Sequence, residues 1–232
     1  MAKEKRHKKE KGSKLVTGKC RLSYPHLFVP RAFQEGGDEM YEGTFIIDPS
    51  WDTFKKVDKD GMEVLKKLED GSSRTYTDLE WYYLIANTIR HRAFPGVNFG
   101  TVYKDTVLKS PIKAGNDRDD VEDRPEYQNV YYLTARGYIK PTCILQNKAP
   151  AGADDLYPGC YVRATLYPES YHNGGNAGVK FRLGNVQKWE DGERLGTEHS
   201  NAQDDFDSIG PVGEFDSGID EGSPFDGPEL NF

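Results

Sequence analysis

The stretch Val130-Tyr-Tyr-Leu-Thr-Ala-Arg-Gly-Tyr-Ile-Lys140 alternates strictly. Its odd positions, Tyr131, Leu133, Ala135, Gly137 and Ile139, are mostly apolar, and the even ones are Tyr132, Thr134, Arg136, Tyr138 and Lys140. Successive side chains of a β-strand point to opposite faces, so this is a strand with one face for a core and one that is aromatic and basic. Cys160-Tyr-Val-Arg-Ala-Thr-Leu-Tyr167 repeats the split, with Cys160, Val162, Ala164 and Leu166 on one side and Tyr161, Arg163, Thr165 and Tyr167 on the other. After the turn signal Asn173-Gly-Gly-Asn176, Val179, Phe181 and Leu183 face a core while Lys180 and Arg182 face outward. One such strand would show only that tyrosine suits a half-exposed pleated surface. Three in succession, with no acid on the outer face, make a surface for single-stranded nucleic acid, in which rings stack on bases and cations follow the backbone. The candidate binding residues are Arg21, Tyr132, Arg136, Tyr138, Lys140, Tyr161, Arg163, Tyr167, Lys180 and Arg182.

Upstream, Leu15 to Phe28 alternates weakly, and Met40-Tyr-Glu-Gly-Thr-Phe-Ile-Ile47 follows a Gly36-Gly37-Asp38 turn signal, so the two read as strands that pair in a hairpin. Between Asp52 and Asp70, Phe54, Val57, Leu65 and Leu68 fit a helical stripe broken by Gly61. From Asp78 to Ala93 the pattern predicts a helix: Asp78 as N-cap, Glu80 in the first turn, Leu79, Tyr82, Ala86 and Ile89 on one face, and Arg90, His91 and Arg92 at the end. Phe94-Pro95-Gly96 stops it. Residues 112–126 read as a charged, solvated loop, because its carboxylates lack the spacing of a calcium loop. The fold class is mainly β with inserted helices.

The chain has 232 residues, a formal net charge of −7 and 36% hydrophobic residues. Its mean hydropathy is −0.78. That length supports one large domain or two small ones. No apolar run approaches the roughly 18 residues of a membrane span, which excludes membrane enzymes and transporters. The basic N-terminus leads into no apolar h-region, so no signal peptide is expected and the chain belongs in a cytoplasm. Cys20, Cys143 and Cys160 are odd in number and far apart, and read as buried apolar residues. Phosphate-binding loops, nucleophile elbows and paired metal-ligand histidines are missing, so no cofactor, metal or catalytic residue is expected. A metal-dependent nuclease using the 117–123 carboxylates, or an RNA binder using the same sheet face, is the alternative.

The charge divides by segment. Residues 1–21 hold nine bases against two acids, while 197–232 hold ten acids and no base. Residues 1–14 therefore form a basic arm expected to be disordered, 15–196 a folded domain, and 197–232 an acidic tail too poor in periodic apolar positions to fold. The tail sets Phe206, Phe215 and Phe225 among acids and ends at Phe232. A solubilising tail has no use for spaced aromatics, whereas a peptide that docks into a basic, apolar-lined groove uses both features.

Four segments carry a resemblance: Arg21-Leu-Ser-Tyr-Pro-His-Leu-Phe28, Tyr157-Pro-Gly-Cys-Tyr-Val-Arg-Ala164, Gly178-Val-Lys-Phe-Arg-Leu-Gly-Asn-Val-Gln187 and Gly192-Glu-Arg-Leu195. In this order they resemble motifs of a bacteriophage family of single-stranded-DNA-binding proteins, once catalogued as a domain of unknown function. The resemblance runs from about residue 15 to 195. It implies an OB-fold, a five-stranded barrel with helices packed between strands, similar to the proteins that podovirus-type phages use at replication forks. It implies sequence-independent binding of single-stranded DNA in phage replication or recombination, in the cytoplasm of an infected bacterial host cell. The acidic tail resembles those with which phage and bacterial single-strand binders recruit replication proteins, such as a polymerase or helicase, and compete with DNA. It leaves a homo-oligomer open. The basic arm departs from the family, and reads equally as an auxiliary DNA contact or a solubilising segment.

Overall fold

The computed structural model describes residues 9–32, 35–58, 60–173 and 175–196. The tail phenylalanines Phe206, Phe215, Phe225 and Phe232, and the arm before residue 9, lie outside the described residues.

Strands β1 (Leu15–Val16), β2 (Cys20–Ala32) and β3 (Glu39–Ile47) come first, then a small hairpin of β4 (Leu65–Lys67) and β5 (Ser73–Thr75). Helix α1 (Asp78–Ala93) follows, then the short strands β6 (Val102–Tyr103), β7 (Thr106–Lys109) and β8 (Ile112–Ala114) and two 3-10 turns at Gly115–Asp117 and Pro125–Tyr127. The chain then enters β9 (Tyr131–Gly137), β10 (Cys143–Ile144), β11 (Tyr161–Asn173) and β12 (Asn176–Glu190). Strands pair in the order β11, β2, β3, β9, β12, and a further pairing of β11 with β12 closes the ring. This is the expected five-stranded barrel. β9 and β12 run parallel, Arg136 beside Arg182, and the other joints of the ring are antiparallel.

The alternation read from the sequence is what fills the barrel. Leu133, Ala135, Val162, Ala164, Leu166, Val179, Phe181 and Leu183 are buried in one cluster with Leu22 and Phe45 from the predicted β2–β3 hairpin. Helix α1 adds Leu79, Tyr82, Ala86 and Ile89 to that cluster. The three cysteines are free and buried. Burial pushes the thiol of Cys20 up to about 12 and those of Cys143 and Cys160 up to about 11, so none is a nucleophile at neutral pH.

Four expectations change. No helix forms between Asp52 and Asp70. There Val64 N donates to Lys56 O at 2.8 Å and Asp58 N to Met62 O at 2.9 Å, a turn that Gly61 closes at φ +81°. Val57 and Leu65 stay exposed while Phe54 packs against the core, so the supposed stripe does not share one buried face. The N-cap of α1 is Thr77 rather than Asp78: its hydroxyl accepts from Glu80 N while the Glu80 carboxylate accepts from Thr77 N, a reciprocal capping box. Asp78 is instead fully buried and accepts from Lys56 Nζ at 2.6 Å. The charged loop at 112–126 begins with a strand, β8, that pairs Lys113 with Tyr132. Finally, α1 is the single α-helix among the described residues, and it lies between the second and third barrel strands together with β4 to β8.

The described part of the basic arm lies against the barrel. Gly12 N donates to Pro168 O, Ser170 N to Glu10 O and Glu10 N to the Ser170 hydroxyl, and β1 continues the pairing with Leu15 beside Leu166.

Candidate nucleic-acid interface

The outer faces of β9, β12 and β11 are neighbours in the ring, so their outward residues form one surface. Across it, Arg136 on β9 lies beside Arg182 on β12, and Arg182 beside Tyr167 on β11. The Arg182 guanidinium sits 4.4 Å from the Tyr167 ring centroid. Two residue pairs further along, Lys180 faces Glu169, and two beyond that Gly178 faces Tyr171. A Cβ at position 178 would press into the Tyr171 hydroxyl and the Lys109 backbone, so glycine is what lets the ring lie over this strand.

A groove of about 300 Å³ is cut into this surface, lined by Tyr132, Thr134, Arg136, Tyr171 and Lys180. Its remaining wall is the β7–β8 connection, which brings Lys109 and Lys113 over the sheet. These two lysines, with Tyr171, are the groove residues that the sequence reading missed.

The cations of this surface divide by partner. Arg136 is ion-paired with Glu42 of β3, and Lys180 with Glu169 at 3.4 Å. The surface is therefore not free of acids, as the strands read singly suggested: register brings Glu42 beside Arg136 and Glu169 beside Lys180. Burial works to raise the Glu169 carboxyl, but hydrogen bonding to Lys9 and the charges of Lys9 and Lys180 prevail and hold it below the usual carboxylate range. Lys109 donates instead to the neutral amide of Asn176 at 2.6 Å, and Arg163 to that of Gln187 at 2.7 Å. Lys113 and Arg182 have no carboxylate partner among the described residues, and the Lys113 ammonium lies 6.0 Å from the Tyr132 ring centroid. A phosphate can meet these four without first breaking an ion pair.

The other predicted residues lie further along the barrel. Tyr138 and Lys140 are exposed beyond the end of β9, where the Tyr138 hydroxyl donates to Asp38 Oδ2 at 3.0 Å in the β2–β3 connection. Tyr161 and Arg21 face each other where β11 meets β2. Tyr161 packs edge-on against Trp51, with the Lys19 ammonium 4.2 Å from its ring centroid. Arg21 is occupied by backbone carbonyls of Gly159 and Glu193. The structure thus gathers Tyr132, Arg136 and Lys180 at the groove, places Arg182 beside Arg136 and Tyr167 beside Arg182 in the strand register, leaves Arg163 further along β11, and sets Tyr161 with Arg21 where β11 meets β2.

The 117–123 carboxylates do not converge. Asp120 is held by a bidentate pair from Arg118, both contacts at 2.7 Å, and no group of three or more metal-ligating side chains occurs among the described residues.

A family model described as Enterobacter phage Enc34, ssDNA-binding protein, matches residues 13–216. Putative protein p50 of Acyrthosiphon pisum secondary endosymbiont phage 1 is 25% identical over 198 residues, 84% of this chain and 94% of that protein. Among solved structures, the single-stranded DNA-binding protein from bacteriophage Enc34 in complex with ssDNA is similar at a TM-score of 0.56 and 21% identity, covering 79% of this chain and 89% of that one. A C-terminal truncation of the same phage protein gives 0.56 at 20% identity, over 78% and 88%. At that identity the likeness is one of fold.

Proposed function

The chain belongs to the family of phage single-stranded-DNA-binding proteins represented by that of Enterobacter phage Enc34, and from that premise we propose that it binds single-stranded DNA without regard to sequence, along the outer face of β9, β12 and β11. The observation that carries this reading is the groove itself, where Lys109 and Lys113 overhang Tyr132 and Tyr171 with no carboxylate to neutralise them. Every base has a π-face, so tyrosines spaced along the outward face accept any sequence, each stack being worth roughly 1–3 kcal/mol. Phosphates meet Lys109, Lys113, Arg163 and Arg182. Arg136 and Lys180, paired with Glu42 and Glu169, add a weaker field. Nothing in this arrangement calls for bond making or breaking, and the protein acts as a coat on template strands in replication or recombination, in the cytoplasm of an infected bacterial host.

The acidic tail completes the proposal. Ten carboxylates and four spaced phenylalanines at 206, 215, 225 and 232 suit recruitment of replication proteins through a basic, apolar-lined groove, and the same charge competes with phosphate for the lysines. Both parts are tested by gel shift of single-stranded DNA, duplex and RNA with the full chain and with a chain ending at 196. Single strands should be retained preferentially, and the shorter chain should bind them more tightly at low salt. Equal retention of duplex removes the first part, and equal affinity of the two chains at low salt removes the competition.

A further inference from the structure

The groove does not end at β8. Lys109, Ser110, Lys113 and Tyr132 also line a second, larger concavity of about 1110 Å³ on the far side of the β7–β8 connection. Aromatic rings line it: Tyr83 of α1 meets Tyr131 of β9 edge-on, centroids 6.3 Å apart, and Tyr132 is part of the same lining. One wall carries Lys109 and Lys113, and the other carries Asp117 and Asp119 together with Arg118 and its ion-pair partner Asp120. Asp117 and Asp119 are exposed and neither has an ion pair among the described residues, unlike Asp120, which Arg118 holds.

The acidic wall is fixed in place. Gly115 N donates to Val130 O at 2.8 Å, and the Asn116 side chain closes the same neck by accepting from Asn129 N at 2.8 Å. The Arg118 guanidinium is stacked 4.1 Å from the centroid of the buried Tyr127 ring. A Cβ on Gly115 would overlap the Tyr127 carbonyl, so the segment closes as tightly as a backbone can.

We propose that this concavity is a continuation of the DNA path that admits one strand and rejects two, with Asp117 and Asp119 as the residues that set the preference for single-stranded over duplex DNA. The inference rests on the binding face proposed above. A single strand brings one line of phosphates, which the lysine wall takes, and bare base faces, which the tyrosine rings take. A duplex keeps its base faces stacked internally and brings a second line of phosphates across the groove, where two unneutralised carboxylates face it. Selection of this kind comes from a cost laid on the wrong ligand and not from added contacts to the right one.

The test is Asp117→Asn with Asp119→Asn in the full chain, titrated by fluorescence anisotropy against oligo-dT and against a duplex of matched length. Two exposed like-charge encounters removed should raise duplex affinity about fivefold while single-strand affinity changes less than about twofold. An unchanged ratio of the two affinities, or an equal rise in both, overturns the proposal. Lys113→Gln separates its failure from that of the parent reading. If that variant loses single-strand affinity while the aspartate variant leaves the ratio unchanged, only the selectivity role falls; if Lys113→Gln also has no effect, the binding face itself is wrong. Matched melting temperatures of the variants show that the turn still closes.

Discussion

Lys109 and Lys113 distinguish a binding face from a decorated surface, because the structure makes them differ from Arg136. Binding to a single strand loses about 0.7 in log affinity per decade of salt for each phosphate neutralised, so four open cations, Lys109, Lys113, Arg163 and Arg182, give a slope of about −2.8. Raising salt from about 50 to 200 mM should then weaken the natural protein roughly 50-fold. With Lys109→Gln and Lys113→Gln the slope should fall to about −1.4 and the loss over the same range to about sevenfold. Arg136→Gln should behave differently. Its guanidinium is paired with Glu42, whose side chain is 5% exposed, so removing it leaves a buried carboxylate poorly satisfied. Stability should drop by about 1–3 kcal/mol, while the salt slope changes by less than the double lysine variant's. The measurement is anisotropy of labelled oligo-dT at four or more salt concentrations, with thermal melts of each variant. A double lysine variant that keeps the slope of the natural protein, or an Arg136→Gln variant that loses as much slope as the lysine pair, refutes the assignment of which cations are open.

The remaining expectations concern the frame around the face. Lys56 is 2% exposed and bonded to the fully buried Asp78, so Lys56→Met alone should cost about 3–5 kcal/mol by stranding a buried charge, and Lys56→Met with Asp78→Leu should recover much of it in a chemical denaturation series. Thr77→Ala removes the N-cap of α1 and should lower stability by about 1 kcal/mol in the same assay. Hydrogen bonding from Arg74, with Lys66 and the Thr77 backbone adding to it, outweighs burial and holds the Glu80 carboxyl down at about 2. A carboxyl depressed in the folded state stabilises above its unfolded pKa of about 4.3 and loses that contribution as pH falls through the folded value, so melts between pH 5 and 2 should be less steep in pH for Glu80→Gln.

The barrel was legible where a strand is long enough for alternation to speak. Residues 130–140, 160–167 and 179–183 each repeat a two-residue period, and the faces they predict are the faces observed as far as Gly137; beyond the end of β9, Ile139, read as facing the core, is 76% exposed. The cap of α1 was also legible, since Thr77-Asp-Leu-Glu80 has the spacing of a reciprocal box, but Asp78 is itself a good cap and hid it. Lys109 and Lys113 were not, because Thr106–Lys109 and Ile112–Ala114 are too short to show any period, and one of them sits at the head of a run of charges. Nor could the sequence separate open cations from paired ones. Arg136 and Glu42 are 94 positions apart, and only the β3–β9 register brings them together. The helical stripe at 52–70 failed for the opposite reason: spacing alone placed Val57 and Leu65 on one face, but a helix needs a surface to bury that face against.

The central claim, that the outer face of β9, β12 and β11 binds single strands through stacking and phosphate contact, is tested most directly by equilibrium titration of the full chain with oligo-dT, a mixed-sequence single strand and a matched duplex across a salt series. The two single strands should bind with similar affinity and a common negative salt slope, and the duplex at least tenfold more weakly. Salt-independent binding, or duplex held as tightly as either single strand, would contradict it.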